Sequence, residues 1–241
     1  MKNPFPIACY DNFYEDPDPV REFALTLDYS KFGGFYPGFR TSCISVINRK
    51  LWEYSYNKVL SMFGDYSELT SDNYEVFSHF QKIYRFSSDP DDVINDGWIH
   101  CDGSTLLAAV VYLDKESFSD NGTSFYNKVN SSSKTIISQI DGDVDQTPYD
   151  RILGESDHCK IDDVDWYRDK LIENNSQYNL TVNVKNCYNR LISYSGDQWH
   201  GQSNYWMPND EDFRLTQVFF FSRMNIPVNL IPKIRCSVDG I

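Results

Sequence analysis

His100-Cys101-Asp102, followed far along the chain by His200, offers two imidazoles and one carboxylate to a single ion. Two nitrogens and one oxygen on one side of a divalent metal leave open positions opposite, a donor set suited to Fe(II) that must take further ligands. On an extended strand residues i and i+2 project from one face, so His100 and Asp102 can share an ion while Cys101 turns away to pack. The second imidazole must then arrive from another strand, and the intervening chain is long enough for several. Arg214 heads the apolar run Phe213-Arg-Leu-Thr-Gln-Val-Phe219. A planar guanidinium meets a carboxylate through two parallel hydrogen bonds, and Thr216, on the same strand face, can add a hydroxyl. Taken singly, each residue has a plainer use: His100 as a hydrogen-bonded turn histidine, Arg214 as a solvated strand start beside the acidic 209–212 turn. Together they describe a metal site with an anion anchor. The other two histidines fit less well, His79 reading as a packed strand residue and His158 as an exposed one in a polar segment.

The pattern His100-x-Asp102, His200 and Arg214, with Gly122-Thr-Ser-Phe-Tyr126 after the first two ligands, resembles the 2-oxoglutarate/Fe(II)-dependent dioxygenase superfamily. It is nearer to the prolyl-hydroxylase-like bacterial and phage members than to the nucleic-acid demethylases, and the resemblance runs from about Tyr74 to Arg223. It implies a mainly β fold with flanking helices, built as a double-stranded β-helix of the jelly-roll or cupin-like kind. It further implies Fe(II) held by His100, Asp102 and His200, with 2-oxoglutarate chelating the iron through its 1-carboxylate and 2-oxo group. Arg214 and Thr216 would grip the far carboxylate, and Tyr84, before the metal-binding turn, is a candidate hydrogen-bond partner of the same cosubstrate. O2 is the second cosubstrate. The implied reaction decarboxylates 2-oxoglutarate to succinate and hydroxylates a C–H bond of a protein side chain or a small molecule. Prolyl hydroxylases usually carry Lys where this chain has Arg214, which weakens any transfer of their substrate. Asp102, where related halogenases have Ala or Gly, favours hydroxylation, while desaturation and ring closure use the same ligands. Two other classes stay open: a cupin-like metal-dependent isomerase or hydrolase that takes no 2-oxoglutarate, and a non-catalytic β-sandwich binding protein.

The composition narrows the partners. A net charge of −13, from 35 acidic against 22 basic residues, disfavours nucleic acid and anionic membranes, whose binding rests on clustered Lys and Arg. A small molecule or a peptide is the expected substrate. Six scattered cysteines without a Cys-x-x-Cys pair read as free thiols. With no signal-peptide or membrane-span pattern, they predict a cytoplasmic setting, and richness in Lys, Asn, Ile and Tyr suggests an A/T-rich genome such as that of a phage or marine bacterium. The oligomeric state leaves no mark in the sequence.

The elements that must position these residues follow from periodicity. At 241 residues one domain suffices, and 17 Tyr with 16 Phe suit pleated sheets. Helical support is expected over about 1–70. It comprises a short amphipathic helix capped by Asp18 with Pro19 first, then a Gly/Pro/aromatic loop over 32–41 and a second helix over 49–63 stopped by Gly64. A jelly-roll core over about 74–223 would use strands at 75–86, 106–113, 180–184, 189–194 and 213–223. A Ser/Asn/Asp-rich insertion over about 127–179, with a helix near 162–173, interrupts it. Trp98, Tyr112 and Trp199 lie near the ligand segments, but most aromatics in so aromatic a chain are core.

Overall fold

Leu215, Gln217, Phe219 and Phe221 point one way along the strand Arg214–Met224, while Arg214, Thr216 and Val218 point the other way into a cavity. That alternation divides the protein into a helix-supported side and a site side. The structure, a computed structural model, describes residues 5–30, 36–63, 74–116, 121–129 and 164–224.

Among the described residues nine strands run in chain order: β1 (Ala8–Tyr10), β2 (Phe39–Arg40), β3 (Tyr74–Ile83), β4 (Leu107–Tyr112), β5 (Thr123–Lys128), β6 (Tyr178–Val184), β7 (Leu191–Ser195), β8 (His200–Gln202) and β9 (Arg214–Met224). They form two antiparallel sheets, one of six strands in the order β1-β7-β4-β9-β3-β2 and one of three in the order β6-β5-β8. Ala108, Tyr112, Ile192 and Tyr194 of the larger sheet pack on Phe125 and Val184 of the smaller, so the two lie face to face.

The opposite face of the larger sheet is covered by helices α1 (Asp18–Leu25), α2 (Ile44–Ile47) and α3 (Arg49–Ser61). Tyr56, Val59 and Leu60 recur at helical spacing on α3 and meet Phe80, Leu107, Leu215 and Phe219. Burying each such side chain stabilises the fold by about 1.5–3 kcal/mol. The Asn48 side chain caps α3 by accepting from Leu51 N at 3.1 Å. Gln217 enters this apolar layer fully buried and is held there: Tyr14 Oη donates to its Oε1, and its Nε2 donates to Ser55 and Ser78 Oγ at 3.3 Å.

Several boundaries differ from the sequence expectation. Helix α1 begins one residue early, with Pro17 as N-cap, Asp18 in the first turn and no side-chain cap. Strand β3 ends at Ile83, leaving Tyr84 outside it. The expected helix near 162–173 is α4 (Val164–Asn175), whose Tyr167 and Leu171 pack on Ile94 and Trp98. The stop at Gly64, most of the 127–179 insertion and His158 lie outside the described residues. Among the described residues no helix is long and apolar enough to cross a membrane.

Candidate metal and cosubstrate site

His100 and His200 form an isolated antiparallel bridge, His100 N donating to His200 O at 2.8 Å and His200 N to His100 O at 2.9 Å. Directly opposed residues present their side chains on one face, and the two imidazole centroids lie 4.5 Å apart. His100 is thus a single bridge residue and not part of a continuous strand. Asp102 follows in a turn, its N–H donating to Gly196 O at 2.7 Å and its carbonyl accepting from Thr105 N at 2.8 Å. The i, i+2 spacing still returns the carboxylate to the imidazoles. One ligand atom from each of His100, Asp102 and His200 lies within 4.8 Å of the others.

The ring orientations suit a metal. His100 Nδ1 meets Trp98 O at 2.7 Å and His200 Nδ1 meets Gln198 O at 2.8 Å. A carbonyl can only accept, so each Nδ1 carries the proton and each Nε2 of the neutral ring is left with its lone pair. Both lone pairs face Asp102: His100 Nε2 is 3.7 Å from Oδ1 and His200 Nε2 is 3.6 Å from Oδ2. Burial, reinforced by the neighbouring His100, lowers the His200 pKa to about 4. It is therefore neutral at ordinary pH, as a ligand must be. Tyr194 packs its ring 4.5 Å from the His200 ring and fixes it from behind.

These groups line one side of a cavity of about 110 Å³, and Arg214 and Thr216 line another. Arg214 is 3% exposed, and its Nε and Nη2 are buried without a hydrogen-bond partner among the described residues. Its guanidinium lies 5.1 Å from the Tyr112 ring centroid, and the Tyr112 hydroxyl donates to Thr123 Oγ1 at 2.8 Å. A buried cation with two unused donors is costly, and a carboxylate entering the cavity would remove that cost. The donor set and this orphaned guanidinium both fit Fe(II) with a dicarboxylate oxo acid.

The remaining sequence candidates lie elsewhere. Tyr84 packs edge-on to Phe39 and Phe213, outside the cavity lining. Trp98 donates to Tyr167 Oη at 2.8 Å, and Trp199 packs on Tyr178. The Cys101 thiol turns away and donates to Asp197 O at 3.3 Å, its pKa raised by burial to about 12.

Arg40 and Gln81 also line the cavity, and neither was singled out from the sequence. Gly38, at φ +71°, lets the chain turn against β3; a Cβ there would stand 2.0 Å from Lys82 O. That close approach seats Arg40 opposite Gln81. The available signal was a lone Arg leaving a Gly-rich loop that reads as an ordinary turn.

A model of a family of unknown function, DUF6445, matches residues 2–221. No curated protein matches the chain. Among solved structures, HygX from Streptomyces hygroscopicus, with nickel and 2-oxoglutarate bound, is 10% identical over 89% of this chain and 82% of that chain, at TM-score 0.53. HygX with nickel, 2-oxoglutarate and hygromycin B gives the same figures. EvdO2 from Micromonospora carbonacea var. aurantiaca is 11% identical over 90% of this chain and 86% of that one, at TM-score 0.51. At such identities the likeness is one of fold.

Proposed function

The chain belongs to the DUF6445 family, a family of unknown function, and we propose that it is an Fe(II)- and 2-oxoglutarate-dependent dioxygenase that hydroxylates a small molecule. The observation that carries this reading is the pairing, across one cavity, of the His100, Asp102 and His200 donor cluster with a buried Arg214 whose Nε and Nη2 are unpartnered. A metal isomerase or hydrolase of a neutral substrate would have no use for such a cation. The shared fold with HygX, a protein that holds nickel and 2-oxoglutarate, and the double-stranded β-helix architecture it suggests support the same reading.

In this account His100 and His200 ligate through Nε2 and Asp102 through a carboxylate oxygen. Arg214, with Thr216, receives the far carboxylate of 2-oxoglutarate and so sets the 2-oxo acid end toward the metal. The backbone carbonyls of Trp98 and Gln198 hold the two rings in the ligating tautomer. Iron supplies O2 activation coupled to decarboxylation, and the chain contributes orientation and exclusion of water. The small volume of the cavity, and the hygromycin B that HygX binds in its crystal, favour a small molecule over a protein side chain. We take residues 1–241 to act as one unit.

The test is succinate formation. Purified protein with Fe(II), ascorbate, O2 and 2-oxoglutarate should release succinate slowly even without substrate, and His200→Ala should not. Equal succinate from both proteins would overturn the assignment.

A further inference from the structure

Arg40 is a second cation on the wall of the cavity that Arg214 lines. It leaves β2 at the edge of the larger sheet, and its Nε donates to Gln81 Oε1 at 3.3 Å. The Tyr36 ring lies 3.8 Å from its guanidinium carbon. Among the described residues it makes no ion pair, although it lies close enough to Asp102 to feel that charge. Burial lowers its pKa to about 10, so it remains a cation at neutral pH.

Arg40 and Arg214 are rooted apart. Strand register sets Arg40 against Gln81, and Gln81 against Thr216, so two strand spacings separate Arg40 from β9. At about 4.8 Å each, this is roughly 10 Å of lateral distance. The Arg214 guanidinium lies over the Tyr112 ring and that of Arg40 over the Tyr36 ring, so the two occupy different parts of the cavity wall.

Arg40 lines the same cavity as the metal ligands and makes no ion pair among the described residues, and a half-buried guanidinium in that position can take a carboxylate through charge-assisted hydrogen bonds. Ile83, Val110 and Val218 add apolar surface to the wall of the same cavity.

We propose that Arg40, steadied by Gln81 and Tyr36, is the recognition residue for a carboxylate on the primary substrate, which is therefore a monocarboxylate with an apolar body. The inference rests on the oxygenase reading. Arg40 acts on substrate choice and orientation, placing a carbon of the apolar body toward the metal while Arg214 keeps the cosubstrate.

The test uses full-length protein loaded with Ni(II), so that turnover cannot intervene, and saturated with 2-oxoglutarate. Hexanoate and its neutral counterpart hexanamide are titrated calorimetrically. Hexanoate should bind at least about tenfold more tightly, the least expected of a charge-assisted hydrogen bond. Arg40→Gln, shown to be folded by its thermal transition, should erase that preference and leave 2-oxoglutarate affinity within about twofold, while Arg40→Lys keeps part of it. Equal binding of the two probes, or binding of neither, by the unsubstituted protein overturns the inference without needing any variant. A tenfold loss of 2-oxoglutarate affinity in Arg40→Gln also overturns it, by making Arg40 a cosubstrate residue. Failure of the unsubstituted protein to bind 2-oxoglutarate at all would instead overturn the oxygenase reading, and this inference with it.

Discussion

His100 and His200 oppose each other as a fully hydrogen-bonded antiparallel pair, each peptide N–H donating to the other's carbonyl. The candidate metal site is thus built into a backbone bridge joining the 97–102 segment to β8. The geometry of the two imidazoles follows from the bridge, and only the carboxylate depends on a turn.

Replacing any one ligand leaves two donors and an open cavity. His100→Ala, Asp102→Ala and His200→Ala should each weaken Fe(II) or Co(II) binding by about a hundredfold or more, since a facial site has no spare protein ligand. Equilibrium titration monitored by Co(II) absorption measures this. Metal affinity unchanged in all three would remove the site.

Arg214→Met should separate stability from binding. The buried cation has two donors without partners, so the ligand-free variant should melt no lower than the unsubstituted protein. With metal present, 2-oxoglutarate at a hundred times its Kd should stabilise the unsubstituted protein by about 2.7 kcal/mol. The variant should gain almost nothing at that concentration. Melting curves with and without 2-oxoglutarate decide this, and an undiminished gain would strip Arg214 of its role.

The turn that carries Asp102 has little slack. A Cβ on Gly196 would lie 1.9 Å from Thr105 O and 2.9 Å from Asp102 O, whereas one on Gly103 would meet nothing within 4 Å. Gly196→Ala should cost about 1–3 kcal/mol of stability and weaken metal binding as well. Gly103→Ala should do neither. Urea denaturation and metal titration of the two variants provide the comparison.

Asp114 makes stability depend on pH. It is buried, accepts from Leu215 N at 2.7 Å and Asn186 Nδ2 at 2.9 Å, and burial raises its pKa to about 6. A carboxyl whose folded pKa is raised contributes stability in full below its unfolded value near 3.8, and that contribution is lost as pH rises through about 6. The loss is on the order of 2–3 kcal/mol by pH 7. Asp114→Asn keeps an acceptor for Leu215 N and should therefore stabilise the protein at pH 8 relative to pH 4. Urea midpoints at the two pH values measure the difference, and an unchanged pH dependence would show that Asp114 does not titrate there.

Much of this site could be read from the sequence because its residues sit at spacings with direct geometric meaning. His100 and Asp102 are two apart, and Arg214 and Thr216 share a face of a long apolar strand. The depth of Arg214 could not be read that way. A charged residue beside an acidic turn looks solvated, and only the packing of β9 between β3 and β4 buries it. Short elements escaped for a related reason: β2 and β8 span two and three residues and carry no periodicity of their own. They exist because β3 and β5 offer them open hydrogen bonds. Arg40 depends on β2, so it was hidden with it. The expectation for Tyr84 came from analogy, and its ring packs against Phe39 and Phe213 because the chain leaves β3 one residue earlier.

The central claim, that one cavity holds iron and 2-oxoglutarate together, is tested most directly by anaerobic titration of the purified protein with Fe(II) and then 2-oxoglutarate. Chelation of the ferrous ion by a 2-oxo acid produces a visible metal-to-ligand charge-transfer band. The unsubstituted protein should give a saturable band that is absent in His200→Ala and that needs far more 2-oxoglutarate to appear in Arg214→Met. Folded, iron-loaded protein that shows no band at any 2-oxoglutarate concentration would contradict that claim.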